Sequence, residues 1–419
     1  MSTPYVKSDA VLVKEITLKS MDGSRTFDFK GQVIEFSIYE DIQFPVIRAE
    51  FTVIDAVDVI TSFPIIGEEL ITVSFSNPGN DLTNTYTFHI KSPKNQLIGQ
   101  TGKTRSYVLH ATSEEFVTSN KQYVQKYYSD TTGNIIQDIL KNTLGTQKAV
   151  NIVSDLKGTF QNTITRLRPF QAIDMLRKRS RSQKYQSSAF VFFENKRGFN
   201  LTHLEYMMDN AKNNINDKIY YYDIGTSSDA KNMNSRAILS LLNVSQLNNT
   251  TKLTSGSLNM NVKKFDIMQG KTTVLNYVNS EKESGFKFAS KKPLGLNTPS
   301  FEKSVSDTVA KVLLVPHSSH LPETYIADGM AATHSYVTKV AQNIFHMYVA
   351  GDVALTAGDV ITVNVINPTG DTSKTQDNRL IAGNYLMAKV RHTVLNVSSG
   401  QASYNCSLEL IKGFYEDIA

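Results

Sequence analysis

The stretch "VIEFSIYEDIQFPVIRAEFTVID", residues 33–55, decides the fold class. In extended chain Val33, Glu35, Ser37 and Tyr39 point one way, and Ile34, Phe36 and Ile38 the other. A period of two marks a strand in a sheet with one buried face. Pro45 cannot donate to a ladder, so it reads as a break between two strands. The rhythm continues on both sides: "AVLVKEITL" (10–18), "TFDFKGQVIEFSIYE" (26–40), "VIRAEFTVID" (46–55), "EELITVSFS" (68–76), "TYTFHIKS" (85–92) and "RSYVLHATS" (105–113). Turn signals at "MDGS" (21–24), "FPIIG" (63–67) and "NPGND" (77–81) separate them. Short strands at such spacing predict an antiparallel sandwich or barrel.

The pattern changes near residue 114. Residues 113–130 read as a loop or short helix, and "DTTGNIIQDILKNTL" (130–144) as a helix. Ile135, Ile136, Ile139 and Leu140 share its apolar face, Asp130 to Thr132 offer capping oxygens, and Gly145 is the expected stop. "RPFQAIDMLRKRS" (168–180) predicts a second helix with Pro169 at its first position. "SAFVFFENKRGFNLTHLEYM" (188–207) predicts two strands joined at "NKRG". Further on, "IYYYDI" (219–224) reads as a strand, 245–310 as polar and strand-like, and 325–350 as a helix that gives way to a strand. Strands return from 343 to 412.

Within them lies "GDVALTAGDVITVNV" (351–365), with Gly-Asp twice. A dinucleotide fingerprint needs Gly-x-Gly-x-x-Gly leading into a helix, and a calcium loop needs alternating acids and a distal Glu. Neither pattern is present, so both pairs read as turns, with Gly supplying the backbone angles and Asp capping nearby amides.

The chain's 419 residues suggest about three domains. A formal charge of +5 is too small to mark a nucleic-acid binder. Tyr (19) and Phe (21) are plentiful and Trp is absent, which with many β-branched residues favours strands. Cys406 stands alone, so neither an intramolecular disulfide nor a cysteine-based metal site is expected. The first twenty residues lack the apolar core of a signal peptide, and no run approaches about 18 apolar residues, so no membrane insertion is expected.

The search for chemistry assigns no catalytic, cofactor-binding or metal residue. His317 and His320 are three apart, but Pro316 and Pro322 bracket them and no third ligand is near. His89, His110, His346 and His392 lie on alternating strands and read as facing polar surroundings. No nucleophile elbow or Walker loop occurs. The adjacent acids Glu114–Glu115 and Glu68–Glu69 would point to opposite faces of a strand and share no proton. Cys406 reads as a small buried strand residue. No enzyme is expected. The strongest charge feature is 166–197, with nine bases (Arg166, Arg168, Arg177, Lys178, Arg179, Arg181, Lys184, Lys196, Arg197) against Asp174 and Glu194, a net +7. It reads first as a solvated helix face with cations suited to the helix dipole, next as a contact for a partner protein, and last as a nucleic-acid site.

Four stretches together carry a resemblance: 34–75, "TGNIIQDIL" (132–140), "RPFQAIDMLRKRSRS…SAFVFFENKRGFNLTHLE" (168–205), and the closing strands within 347–413. Their order resembles the central baseplate hub proteins of contractile-tailed bacteriophages: the T4-like hub, late-control tail proteins and the hub part of type VI secretion spikes. The resemblance implies a β-rich α+β chain with two related antiparallel, tube-like β-barrel domains. These are expected at 1–114 and at 213–244 plus 325–419, with an α/β domain at 115–212 and a smaller polar strand-rich insertion at 245–324. It implies a homotrimeric virion protein of the tail baseplate, assembled in the bacterial host cytoplasm. Such a hub joins the sixfold tail tube, or a tube-initiator protein, to a trimeric spike protein and contacts other baseplate proteins. Genomic DNA passes through its lumen without sequence-specific binding. The chain ends five residues after Phe414, so the spike is expected to be a separate chain. Ring contacts are expected from 30–76 and 343–412, with Phe36 and Ile361 in them, and the helix 168–181 is expected to face a neighbouring baseplate protein. A phage-like injection or type VI particle, and a virion protein that binds or cleaves cell-wall glycan, are the alternatives.

Overall fold

The computed structural model describes residues 9–20, 22–63, 65–78, 82–98, 104–185, 187–209, 219–223, 236–245, 259–266, 268–278, 311–317, 325–340, 344–366 and 381–412. The protein is β-rich α+β. The first strand region holds β1 (Leu12–Lys19), β2 (Thr26–Asp28), β3 (Val33–Asp41), β4 (Arg48–Asp55), the one-turn helix α1 (Val59–Ser62), β5 (Leu70–Ser76), β6 (Thr83–Ile98) and β7 (Arg105–Thr112). An α/β segment follows with α2 (Glu114–Lys121), β8 (Val124–Asp130), α3 (Thr132–Asp138), β9 (Val150–Ile152), β10 (Leu156–Lys157), β11 (Phe160–Leu167), α4 (Pro169–Arg179), β12 (Arg181–Ser182), β13 (Phe190–Asn195), β14 (Gly198–His203) and α5 (Leu204–Asp209). The remainder comprises β15 (Ile219–Asp223), β16 (Ile238–Ser245), β17 (Asn259–Asp266), β18 (Lys271–Val278), β19 (Lys311–His317), α6 (Tyr325–Val340), β20 (Ile344–Ala350), β21 (Val360–Ile366), β22 (Gly383–Leu395) and β23 (Ser403–Lys412).

The first and last strand regions are parts of one 13-stranded sheet. Its seam is the antiparallel pair β3–β22, with Phe36 opposite Val394, Ile38 opposite His392 and Glu40 opposite Val390. β22 is long enough to serve two neighbours on one edge. Gly383 to Leu386 pair with β21, Lys389 to Val394 pair with β3, and β23 runs along the other edge. The hairpin β22–β23 therefore spans both strand sets. Among the described residues the ladders do not close into a cylinder, but the ends of each set meet at an isolated bridge. Ala10 meets Ser403 in the first, and Tyr221 meets Ala237 in the second. Backbone bonds from Tyr404 N to Asp9 O (2.8 Å) and from Tyr221 N to Arg236 O (3.0 Å) accompany them.

The alternation read from 33–55 holds where it matters. Phe36, Ile38, Phe51 and Val53 are fully buried, or nearly so, with Phe75 and Phe88 from β5 and β6. The Phe36 ring lies 5.5 Å from Phe75 and 5.9 Å from Phe51. Each such side chain contributes about 1.5–3 kcal/mol on burial. This core continues without a break into Met387, Val390, Leu408 and Leu410. Phe36 and Ile361 are both 0% exposed, which corrects their placement in ring contacts: they are core residues. A register shift between Val33 and Glu35 also breaks the strict alternation at the start of β3.

The α/β segment has its own core, in which Ile135, Ile136, Ile139 and Leu140 meet Ile173, Leu176, Phe190 and Phe199. α3 starts where Thr131 Oγ1 accepts the Asn134 amide (3.3 Å), as the capping oxygens implied. The helix widens to a π turn over Ile139–Thr143 and ends before Gly145, whose φ is +68°. α4 begins at Pro169, and Gln171 Oε1 accepts the Arg168 amide (3.2 Å). Residues 113–130 were expected to be a loop or helix; they split into α2 and strand β8, which pairs antiparallel with β11 as a two-stranded ribbon. In the polar stretch, β18, β17 and β19 form a separate three-stranded sheet.

Candidate functional site

The parity of β3 predicts that position 40 faces the core with 36 and 38. The residue there is Glu40, 1% exposed. Each of its partners donates. Glu40 Oε2 accepts from Thr356 Oγ1 (2.6 Å) and the Ala357 amide (2.8 Å). Its Oε1 accepts from the Lys196 amide (3.1 Å) and the Tyr86 hydroxyl (3.3 Å). Burial pushes the Glu40 pKa up, and the bonds from Thr356, Ala357 and Lys196 pull the other way. One carboxylate thus ties β3 and β6 of the first strand set to the β13–β14 turn and to the loop 351–359 ahead of β21.

That loop is held from every side. Asn77 donates to Gly351 O (2.8 Å) and accepts from the Val353 amide (2.9 Å), and Asn84 donates to Val353 O (2.9 Å). From the β13–β14 turn, Lys196 Nζ donates to Val353 O (2.6 Å) and Asn195 Nδ2 to Ala357 O (3.0 Å). Arg197 forks onto Asp359 at 2.8 and 2.5 Å, and Asp359 is buried. Such paired, charge-assisted bonds fix orientation as well as distance. Both glycines are needed for close approach. A Cβ on Gly351 would fall 2.0 Å from Tyr404 Cγ, and Gly358 adopts φ +92° with its missing Cβ 2.8 Å from Phe193 Cζ. The turn reading of 351–365 therefore holds, and Asp352 Oδ1 caps the Ala354 amide (2.8 Å) as expected. Asp359 departs from it, because its carboxylate faces Arg197.

A second buried carboxylate, Glu194, continues the joint. It is 2% exposed and accepts from the Ile47 amide (3.0 Å), Ser113 Oγ (2.5 Å) and Lys148 Nζ (2.6 Å). Lys148 also meets Glu115 (2.6 Å), which accepts from Thr146 Oγ1 (2.6 Å). Burial raises the Glu194 pKa against the pull of Lys148. Burial works to lower the Lys148 pKa, but the two carboxylates outweigh it and hold it above its ordinary value. Glu115 lies in the first turn of α2, so the strand argument applied to the Glu114–Glu115 pair is replaced by this lysine bridge.

The histidines divide. His110 meets Glu50 (3.2 Å) and His346 meets Glu409 (3.5 Å), both facing polar surroundings. His392 does not: it is 0% exposed, its Nδ1 2.7 Å from Tyr404 Oη and 3.4 Å from Cys406 Sγ. Burial lowers its pKa to about 3. His89 is also buried, with Nδ1 3.0 Å from Ile90 O. Cys406 is a buried strand residue, sealed from solvent. His320 lies outside the described residues, and His317 ends β19, whose side chains are likewise outside them. Among the described residues no group of three or more His, Cys, Asp or Glu side chains could hold a metal ion, and no helix is long and apolar enough to cross a membrane.

The basic run does not form one face. Lys196 and Arg197 turn inward to the loop. Arg177 and Lys178 pair with Asp174 (2.6 Å each), and Arg177 also donates to Phe190 O (2.8 Å). Beside the joint lies a polar cleft of about 500 Å³ whose walls include Asn151, Asn200, Tyr206, Met207, Arg197 and Asp359. Taken together, these residues form a joint: buried charges, each satisfied, locking three chain segments in one geometry.

No protein-family model matches this sequence, and no curated protein is similar to it. Solved structures are similar over almost the whole length. The tail protein from Neisseria meningitidis matches at 9% identity over 96% of this chain and 99% of its own, with a TM-score of 0.54. The 43 kDa tail protein of prophage MuSo2 from Shewanella oneidensis matches at 10% identity over 96% and 98%, with the same TM-score of 0.54. A type VI secretion component from E. coli matches at 10% identity over 98% and 79%, with a TM-score of 0.44, too loose to argue from. The chain therefore has the fold of phage tail proteins, as the resemblance in its sequence implied.

Proposed function

We propose that this protein is a structural subunit of a phage tail, the trimeric central hub of the baseplate. The observation that carries the reading is the sheet. Two strand sets share one continuous ladder through β3–β22 and the hairpin β22–β23, and each has its ends drawn together at a single bridge. On this reading 1–114 forms one barrel and 213–244 plus 325–419 the other. The α/β domain 115–212 and the insertion 245–324 lie outside them. Three copies then present six similar barrels, matching a sixfold tube on one side and a trimeric spike on the other. DNA passes through the lumen, and the protein catalyses nothing. The joint at Glu40 and Glu194 supports this role, because a symmetry adaptor requires its two barrels held at a fixed angle. Its donors come from the β3–β4 connection, β6, the β13–β14 turn and the 351–359 loop, so any relative rotation would strand a buried charge.

Light scattering on the purified full chain tests the reading: it is expected to give the mass of three chains, with threefold particle images and a pseudo-sixfold ring. A monomer or dimer that still fails to assemble with tube proteins would contradict it. Binding or turnover of cell-wall glycan without assembly would favour the glycan-active alternative.

A further inference from the structure

The ribbon β8–β11 presents an outer face that the core does not use. Opposed residues share a face, so Ser129–Gln161 and Tyr127–Thr163 lie outward, while Phe160, Tyr128 and Ile164 face the α/β core. Gln125, Tyr127, Ser129, Gln161, Thr163 and Thr165 are all exposed, Tyr127 at 61%. None is a carboxylate. Beside them Tyr123 is 52% exposed.

The pairing slips between Ile164 and Leu167, and within that slip Arg166 adopts φ +49°. Left-handed backbone costs a non-glycine residue about 1 kcal/mol or more. A bulge re-aims a side chain; here the Arg166 guanidinium ends over the Tyr123 ring, 5.6 Å from its centroid. Arg166 has no carboxylate partner among the described residues. Residues 166–197 hold nine bases and two acids, while the whole chain is only +5, so the rest of the chain is net −2. Arg177, Lys178, Lys196 and Arg197 are committed elsewhere. Arg166 is exposed, with its guanidinium over Tyr123.

We infer that this face is a docking surface for an acidic segment of another protein, with Arg166 taking a carboxylate and Tyr123 and Tyr127 covering apolar groups beside it. Tyrosine and arginine are enriched among the few residues that dominate protein interfaces, and an arginine already lying over a ring has less freedom to lose on binding. The proposal rests on the tail-subunit reading for the partner's setting, and it moves the expected partner contact from the helix 168–181 to the ribbon.

The test uses a labelled synthetic peptide alternating Glu with Phe, titrated into the full chain at low salt. Wild type is expected to bind, and Tyr127→Ala and Arg166→Glu each to weaken binding at least tenfold. Lys19→Glu, the same charge reversal at another exposed site, is expected to change it less than twofold. All three residues are exposed, and thermal melts confirm that the variants fold. No binding by wild type, equal loss in Lys19→Glu, or Tyr127-dependent binding of chitin oligomers or duplex DNA instead would overturn the inference. Light scattering on the same samples separates the two ideas. A monomer that binds the peptide sinks the hub and keeps the docking face, and a trimer that ignores it does the reverse.

Discussion

Replacing Glu40 by glutamine changes one oxygen to NH₂ and leaves size and shape alone. In the wild type four donors converge on the two oxygens: Lys196 N and Tyr86 Oη on one, Thr356 Oγ1 and Ala357 N on the other. The amide nitrogen must replace one oxygen. The hydroxyls can rotate, but the amide of Lys196 or of Ala357 then faces another donor. A buried donor left unpaired costs about 1–3 kcal/mol, and a charge-assisted bond lost costs about 1.5–3 kcal/mol. Removing a buried charge returns part of that, so Glu40→Gln is expected to destabilise by about 2–4 kcal/mol. Glu40→Met satisfies none of the four donors and is expected to be worse still. Urea unfolding of both variants measures the loss. Amide hydrogen exchange at Ala357 is expected to accelerate before global unfolding, because the loop loses a main anchor. A Glu40→Met protein as stable as wild type would show that the carboxylate is dispensable and that packing alone holds the joint.

Gly358→Ala forces a side chain onto left-handed backbone against Phe193 and is expected to cost about 1–3 kcal/mol in urea unfolding, whereas Gly351→Ala, with its Cβ 2.0 Å from Tyr404 Cγ, is expected to prevent soluble folding. Arg197→Ala leaves the buried Asp359 carboxylate without its fork, at an expected cost of about 2–4 kcal/mol, and a double-mutant cycle with Asp359→Asn should recover most of it. Burial lowers the pKa of His203 to about 4 and of His392 to about 3, so the unfolded chain binds more protons below about 6.5, and their stabilisation is lost as pH falls from there toward those values. The slope reaches about 1.4 kcal/mol per pH unit per histidine, and His392→Phe should remove one share of it in urea titrations between pH 4.5 and 7. Glu40 and Glu194, both raised by burial, act with the opposite sign: they weaken stability as pH rises from the ordinary carboxylate value through their raised one, and Glu40→Gln should remove that part.

The strands were legible because their two faces differ in chemistry. Phe36, Ile38, Phe51 and Val53 are buried on the parity that the residues dictate. The helices α3 and α4 were legible from capping oxygens, Pro169 and a shared apolar face. β8 was not, because "VQKYYSD" has only Val124 and Tyr128 buried and pairs with a single neighbour, β11. The joint was missed for a related reason. Glu40 follows Phe36 and Ile38 on the buried parity of its strand, and Glu194 closes the apolar run "FVFFEN". An acid on a core parity is the signal, but its partners lie up to 317 residues away, where no local pattern reaches. His392 carries the same lesson. Ala388, Val390 and Val394 share its parity and are all buried, so a histidine among them belongs to the core. The ring contacts assigned to Phe36 and Ile361 failed because a two-faced strand marks its apolar side for the core, not for a partner.

Mass measurement of the assembled protein, with particle images, tests the central claim most directly. Three copies arranged around a ring of six similar lobes are expected. A single lobe per subunit, or a copy number that is not a multiple of three, would contradict the account.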